Sequence, residues 1–243
     1  MAGMGGLGTP IVQAVLHDPG LRLTGVASRS RAGMPLTAAL GAGSGAEAVR
    51  GSGIELRISA DTETALRAGA DVLVDVTTPR AGIAHATAAL DQGVNVLLAA
   101  TSAGTESSLG ALEALARTRG KALAWVPNLS LTCALLERSL AGAAPWADRV
   151  ELIDHAGPHV HAPLHTTASL AGICRAAGLP TEVRSIREGG RYSAVRAVLH
   201  RGAESLELQH ATPDSEAYVT GALHAVRQLP GRNGLLRGMT WAL

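Results

Sequence analysis

The sequence predicts an α/β protein: a Rossmann-like, doubly wound parallel sheet joined to a second, smaller α+β domain. Three observations carry that prediction. Apolar runs of strand length at 21–27, 54–58, 71–76, 94–98 and 122–126 alternate with helical stretches near 9–17, 61–68, 80–92 and 105–119. Most of those runs are continuous rather than alternating, as parallel strands covered on both faces require. From about residue 129 the alternation stops, and the pattern becomes that of a smaller mixed sheet with its own helices.

Composition bounds the possibilities. The chain has 243 residues, 47% of them hydrophobic and 17% charged, enough for one or two domains with a sizeable core. Lys plus Arg (21) balances Asp plus Glu (20), which argues against a nucleic-acid partner. There is no Phe, and the three Trp and two Tyr are too few for a base-stacking platform. The two cysteines, Cys133 and Cys174, are far apart, so neither a disulfide framework nor a cysteine zinc site is expected. The first basic residue is Arg22 and no apolar run approaches the ~18 residues of a membrane span. A cytoplasmic protein with no membrane partner is expected.

Taken in order, the chain opens on Gly3-Met4-Gly5-Gly6-Leu7-Gly8, a GxGxxG match through Gly3, Gly5 and Gly8. Thr9 and Pro10 then read as N-cap and first helical residue. A tight glycine turn at a helix N-terminus lets backbone approach a pyrophosphate, which makes Gly3, Gly5, Gly6 and Gly8 candidate cofactor contacts. Only Met1 and Ala2 precede this turn, so the first strand is expected to be missing or truncated. The run 21–27 ends in Ser28-Arg29-Ser30-Arg31, where a dinucleotide fold meets the adenosine ribose. Ser28, Arg29 and Arg31 suit a 2′-phosphate better than a 2′-hydroxyl, so NADPH is expected ahead of NADH. Residues 41–53, rich in Gly, Ser and Ala, read as a surface loop.

The second part reads as a helix (131–143), a strand (149–154), a His-rich loop (155–165), a helix (166–177) and antiparallel segments at 183–188, 194–200 and 204–210. A last helix near 214–229 precedes a Gly/Arg-rich tail. The expected division is a dinucleotide-binding domain of 1–128 plus 215–243 and a substrate-binding and oligomerisation domain of 129–214.

His155, His159, His161 and His165 lie 4, 2 and 4 residues apart, a density that raises the question of a metal site. A polar pocket is the reading preferred, with no metal. An imidazole titrates near neutrality, so His155 is the candidate general acid and His159 its candidate helper. Asp75 reads as a packed or capping residue, with Thr77 and Thr78 beside the cofactor ribose. Arg187 and Arg191 are either solvated or bind an acidic substrate. His17, His85 and His224 read as surface positions on helices, and both cysteines as small buried hydrophobes.

Over nearly its whole length the chain resembles the dihydrodipicolinate (4-hydroxy-tetrahydrodipicolinate) reductase family. Asp75-Val76-Thr77-Thr78-Pro79 is similar to that family's D-F-T-x-P. Ala99-Ala100-Thr101-Ser102 stands where it has G-T-T-G, and Val126-Pro127-Asn128-Leu129-Ser130 resembles its A-x-N-F-S. Ser185-Ile186-Arg187-Glu188-Gly189-Gly190, the segment 204–210 and Gly234-Leu235 with Met239 follow its later motifs in order. The resemblance implies cofactor contacts from Thr77, Ala99, Thr101 and Asn128, with the 99–102 segment beside the nicotinamide, a small-molecule substrate, and a homotetramer or homodimer. The family signature E-x-H-H-x-x-K-x-D-A-P-S-G-T is rewritten here. Aligning on Ala162-Pro163 sets His155 on the first His, His159 on the Lys and His161 on the Asp, with Leu164-His165-Thr166 replacing Ser-Gly-Thr. His161, His165 and Thr166 are then the candidate substrate contacts.

The reading that follows is an NAD(P)H-dependent reductase of a cyclic imine, enamine or related unsaturated small molecule, with a substrate other than dihydrodipicolinate, in secondary metabolism. The alternative is a non-redox cyclase, isomerase or lyase that uses the histidine loop. A catalytically silent assembly subunit is a third.

Overall fold

The computed structural model describes residues 1–43, 45, 47, 49, 56–99, 106–188 and 193–243. The chain forms two compact units, Met1–Leu129 with Tyr218–Ala242, and Ser130–Ala217 with Leu243.

The first unit is built on a parallel sheet of β1 (Val72–Asp75), β2 (Asn95–Leu98), β3 (Ala122–Trp125) and β8 (Gly234–Arg237), in the order β1-β2-β3-β8. All four β2 residues are buried, which is why that stretch is uninterruptedly apolar apart from Asn95. Helices α4 (Pro79–Asp91) and α5 (Glu106–Arg119) follow β1 and β2 in the right order for βαβ crossovers. Ala86, Ala89 and Leu90 of α4 and Leu112 and Ala116 of α5 share a core with Leu73, Val96, Leu98 and Leu123 of the strands. Thr78, in extended conformation, precedes Pro79 at the first turn of α4, where a missing N–H costs nothing.

Residues 1–3 stand in the position of the first strand. The Ala2 N–H donates to the Val74 carbonyl (2.8 Å) and the Gly3 N–H to the Ala27 carbonyl (2.9 Å), so residues 1–3 pair on both sides as a central strand does. Ala2 is fully buried. Beyond it the expected strands 21–27 and 54–58 reduce, among described residues, to single bridges of Ala27 with Ala2 and Ser59 and of Arg57 with Pro35. A three-residue partner offers too few ladder bonds to hold longer neighbours in register.

Helix α1 (Gly8–His17) begins one residue before the expected cap. Thr9 sits inside the first turn, with its N–H on the Gly5 carbonyl and its hydroxyl on the Met4 carbonyl (3.3 Å). Helices α2 (Leu36–Leu40) and α3 (Thr62–Leu66) are short. Within the expected loop 41–53, the described residues Gly45, Glu47 and Val49 are helical, and Val49 is buried with Met4, Val12, Val26 and Ile58. Helix α8 (Val219–Gln228), preceded by a 3-10 turn (Ser215–Tyr218), starts later than expected. The tail is not irregular: it supplies β8, and four residues flanked by glycine show no readable period.

The second unit packs α6 (Leu131–Ala143) and α7 (His165–Ala176) on a sheet ordered β5-β4-β6-β7. Its strands are β4 (Arg149–Ala156), β5 (Thr181–Arg187), β6 (Ser193–Arg201) and β7 (Glu204–Thr212). β4 and β5 are parallel neighbours, joined by the α7 crossover, so β5 pairs with β4 rather than β6 while still running opposite to β6 as expected of this mixed sheet. β6 is antiparallel to both β4 and β7. Leu140, Leu152, Leu170, Cys174 and Ala197 form the core of this unit, and both cysteines are buried.

Candidate functional site

The glycine turn in the first unit is built from contacts that leave no room for side chains at two positions and ample room at two others. A Cβ at Gly8 would stand 2.0 Å from the Gly3 carbonyl oxygen, so Gly8 is required by backbone approach. Gly3 has φ +98°, and a Cβ there would meet Val76 and the Thr77 methyl at 3.2 Å. By contrast a Cβ on Gly5 or Gly6 would touch nothing within 4 Å. The residue at the N-cap of α1, Leu7, offers no side-chain capping bond. Open backbone before an uncapped helix N-terminus is the environment that a phosphate group requires, so these residues fit a dinucleotide.

Asp75, at the carboxyl end of β1, holds the wall of this turn. Its side chain is fully buried. Oδ1 accepts the Thr77 N–H (2.9 Å) and hydroxyl (2.7 Å), and Oδ2 accepts His85 Nδ1–H at 2.6 Å. His85 is therefore no solvated surface residue, nor is His224, whose Nε2 bonds the Ala242 carbonyl at 2.7 Å. The exposed His17 bonds the Gln13 carbonyl one turn back. Ala99 is buried with its N–H on the Asp75 carbonyl, and Asn128 is half-buried in the same unit. Thr101 lies outside the described residues.

Ser28 continues the chain past Ala27, its N–H on the Ser59 carbonyl. Arg29 and Arg31 follow in a 3-10 turn (Arg29–Arg31); Arg29 is exposed, and Arg31 donates to the Ala39 carbonyl at 2.9 Å.

In the second unit, His155 lies near the end of β4, paired with Ile186 and Ala194. Its side chain is half-buried, while His159, His161 and His165 are exposed. Among the described residues, no three His, Cys, Asp or Glu side chains come together as a metal site. Thr166, in the first turn of α7, hydrogen-bonds the Cys133 thiol, whose burial pushes it up to about 12 despite that bond.

The residues that organise this loop are ones sequence reasoning did not single out or left open. Asp154 is completely buried, and its Oδ1 takes Arg187 Nη1 at 2.5 Å. Its Oδ2 accepts the N–H of Leu164, the residue that precedes α7 (2.9 Å). Arg187 also donates to the carbonyls of Val160 (3.0 Å), His161 (2.9 Å) and Ile186 (2.9 Å). Its guanidinium is thus a brace from β5 across the histidine loop to β4, and the solvated reading of Arg187 is wrong. Arg191 lies outside the described residues. Burial resists ionisation of Asp154, but the bonds from the Arg187 guanidinium and the Leu164 N–H help to outweigh it and hold the carboxyl below its usual range. An Asp three residues after Glu151, at the start of a run of His, would have been the only signal.

A parallel α/β sheet with an open glycine turn at a helix N-terminus, followed by a mixed-sheet unit, defines a dinucleotide-fold protein of two units. Residues 1–129 match the family model described as dihydrodipicolinate reductase, N-terminus. The 4-hydroxy-tetrahydrodipicolinate reductase of Beutenbergia cavernae is 30% identical over 224 residues, covering 80% of this chain and 90% of that one. That of Burkholderia vietnamiensis is 31% identical over 262 residues, covering 97% and 94%. The fold is also that of a dipicolinate-bound dihydrodipicolinate reductase from Paenisporosarcina sp. TG-14, with TM-score 0.79 at 18% identity over 100% of this chain and 97% of that one. The chain belongs to the dihydrodipicolinate reductase family.

Proposed function

We propose that the protein is an NADPH-dependent reductase of a C=N or conjugated C=C bond in a cyclic imine, enamine or related small molecule, and that its substrate is not dihydrodipicolinate. The observation that carries the redox half is the glycine turn, closed at Gly3 and Gly8 and open at Gly5 and Gly6. A nicotinamide, when bound, supplies the hydride. Gly5, Gly6 and the α1 N-terminus would hold its pyrophosphate, and Thr77, Ala99, Thr101 and Asn128 would border the rest. The exposed Arg29 with Ser28 and Arg31 supports a preference for a 2′-phosphate, with NADH the weaker ligand.

In the second unit, His155 is the proton donor to the developing anion and His159 its helper, and His161, His165 and Thr166 contact the substrate. The replacement of Lys by His159 and of Ser-Gly by Leu164-His165 supports a changed substrate, used in secondary metabolism in the cytoplasm. Among the described residues, no helix is long and apolar enough to cross a membrane. The second unit also presents a groove of about 830 Å³ beside the edge strand β7, lined in part by Trp146, Leu199 and Leu206. Trp146 is 73% exposed there, which supports burial against further copies of the chain in a homotetramer or homodimer. A Trp146→Glu variant that lowers the mass found by light scattering would bear this out, and a monomeric wild type would refute it.

Fluorescence titration with NADPH and then NADH tests the whole reading. Micromolar NADPH binding is expected, weaker NADH binding, and a turnover loss of about 10²-fold or more in His155→Ala with NADPH affinity kept. Absence of nucleotide binding, also in an upstream-extended chain, would favour a non-redox enzyme built on the histidine loop.

A further inference from the structure

A guanidinium and a helix N-terminus aimed at one point make an anion site, since both offer N–H donors and positive potential. The second unit has that arrangement where β4 gives way to the histidine loop. Arg187 Nη1 and the N–H that leads into the twelve-residue α7 converge, and what lies between them is the chain's own Asp154 carboxylate, at 2.5 and 2.9 Å. That carboxylate has no exposed surface, and the Arg187 side chain is only 16% exposed. Three further Arg187 N–H groups donate to the Val160, His161 and Ile186 carbonyls, so four of its five are engaged in these bonds. The neighbouring first turn of α7 carries His165 and Thr166, both candidate substrate contacts, and Thr166 is itself bonded to Cys133.

We infer that Asp154 is a specificity-determining residue: its carboxylate fills the anion position made by Arg187 and the α7 N-terminus, so this end of the site takes an uncharged part of the substrate and rejects a carboxylate. A second anion entering there would meet a buried negative charge with its counter-ion already neutralised, which a low-polarity interior penalises heavily. The inference deepens the proposed reductase reading and rests on the second unit being the one that holds substrate.

The test uses the full chain, with acetate and dipicolinate as probes. Asp154→Ala empties the anion position while Arg187 stays in place, and Asp154→Ser does so while leaving a hydroxyl to accept the Leu164 N–H. Acetate at tens of millimolar is expected to raise the Tm of either variant by several degrees and to leave the wild type unmoved. Dipicolinate, followed by calorimetry, is expected to bind at least one variant tenfold or more tightly than it binds the wild type. The additional change Arg187→Met is expected to abolish both gains. Wild-type protein that binds dipicolinate as tightly as either variant overturns the inference, whether or not the variants fold. So does a folded variant indifferent to acetate and dipicolinate. The reductase reading stands or falls separately, on NADPH titration of the wild type.

Discussion

The glycine turn of the first unit and the histidine loop of the second are both candidate binding segments, and they are held in opposite ways. The turn is shaped by missing side chains. Gly8 lies so close to the Gly3 carbonyl that a single Cβ would collide at 2.0 Å, and backbone pairing of residues 1–3 holds the turn from behind. The histidine loop is shaped by one buried ion pair. Asp154 and Arg187 together bond β4, two loop carbonyls and the entry to α7. The difference teaches where each segment is vulnerable: the first to added volume, the second to lost charge.

The largest expected effect is in the second unit. Arg187→Met leaves the Asp154 carboxylate buried without its partner, at a cost of about 3–5 kcal/mol. Thermal unfolding should show a marked drop in Tm, while NADPH affinity in the surviving fold stays near wild type. An unchanged Tm would mean that the brace carries no weight.

In the first unit, Gly8→Ala should cost about 1–3 kcal/mol through forced backbone displacement and abolish nucleotide binding. Gly5→Ala, with free space around its Cβ, should leave unfolding unchanged yet weaken NADPH in the fluorescence titration. Equal stability losses in the two variants would remove the distinction between a packing glycine and a ligand-facing one.

The smallest effects concern pH. His210 is buried against Thr132, and burial lowers its pKa from 6.5. The unfolded chain therefore takes up a proton below pH 6.5 that the folded chain refuses, and stability falls as pH drops through that range. Asp154 acts lower. Its folded pKa lies below 3.8, so its contribution is complete above that value and is lost as pH falls through the depressed one. Denaturant melts should show His210→Gln flattening the first decline and Asp154→Asn the second. A His210→Gln profile that parallels the wild type below pH 6.5 would contradict the first assignment.

Legibility tracked the range of the cause. The apolar runs at 71–76, 94–98 and 122–126 appear as β1, β2 and β3, because burial on both faces demands continuous apolar sequence. The strand at 234–237 has no signal in the sequence, as four residues carry no period and its partner β3 is about a hundred residues away. The neighbour of β5 is not legible, since its own alternation says nothing of which strand it pairs with, which the α7 crossover decides. Of the four loop histidines, the sequence disclosed their density, but not that three are exposed or that an aspartate and an arginine 33 residues apart hold their loop.

By itself, then, the sequence determined the α/β class, the glycine turn at a helix N-terminus, and the family, because these rest on local period, on residues within a few positions, and on motifs in a given order. Only the tertiary structure decided that residues 1–3 pair on both sides in the central position, that His85 serves Asp75, and that Asp154 fills the position between Arg187 and α7. Each of these joins groups distant in the chain, and a buried hydrogen bond leaves no trace in composition or period until folding brings its two ends together.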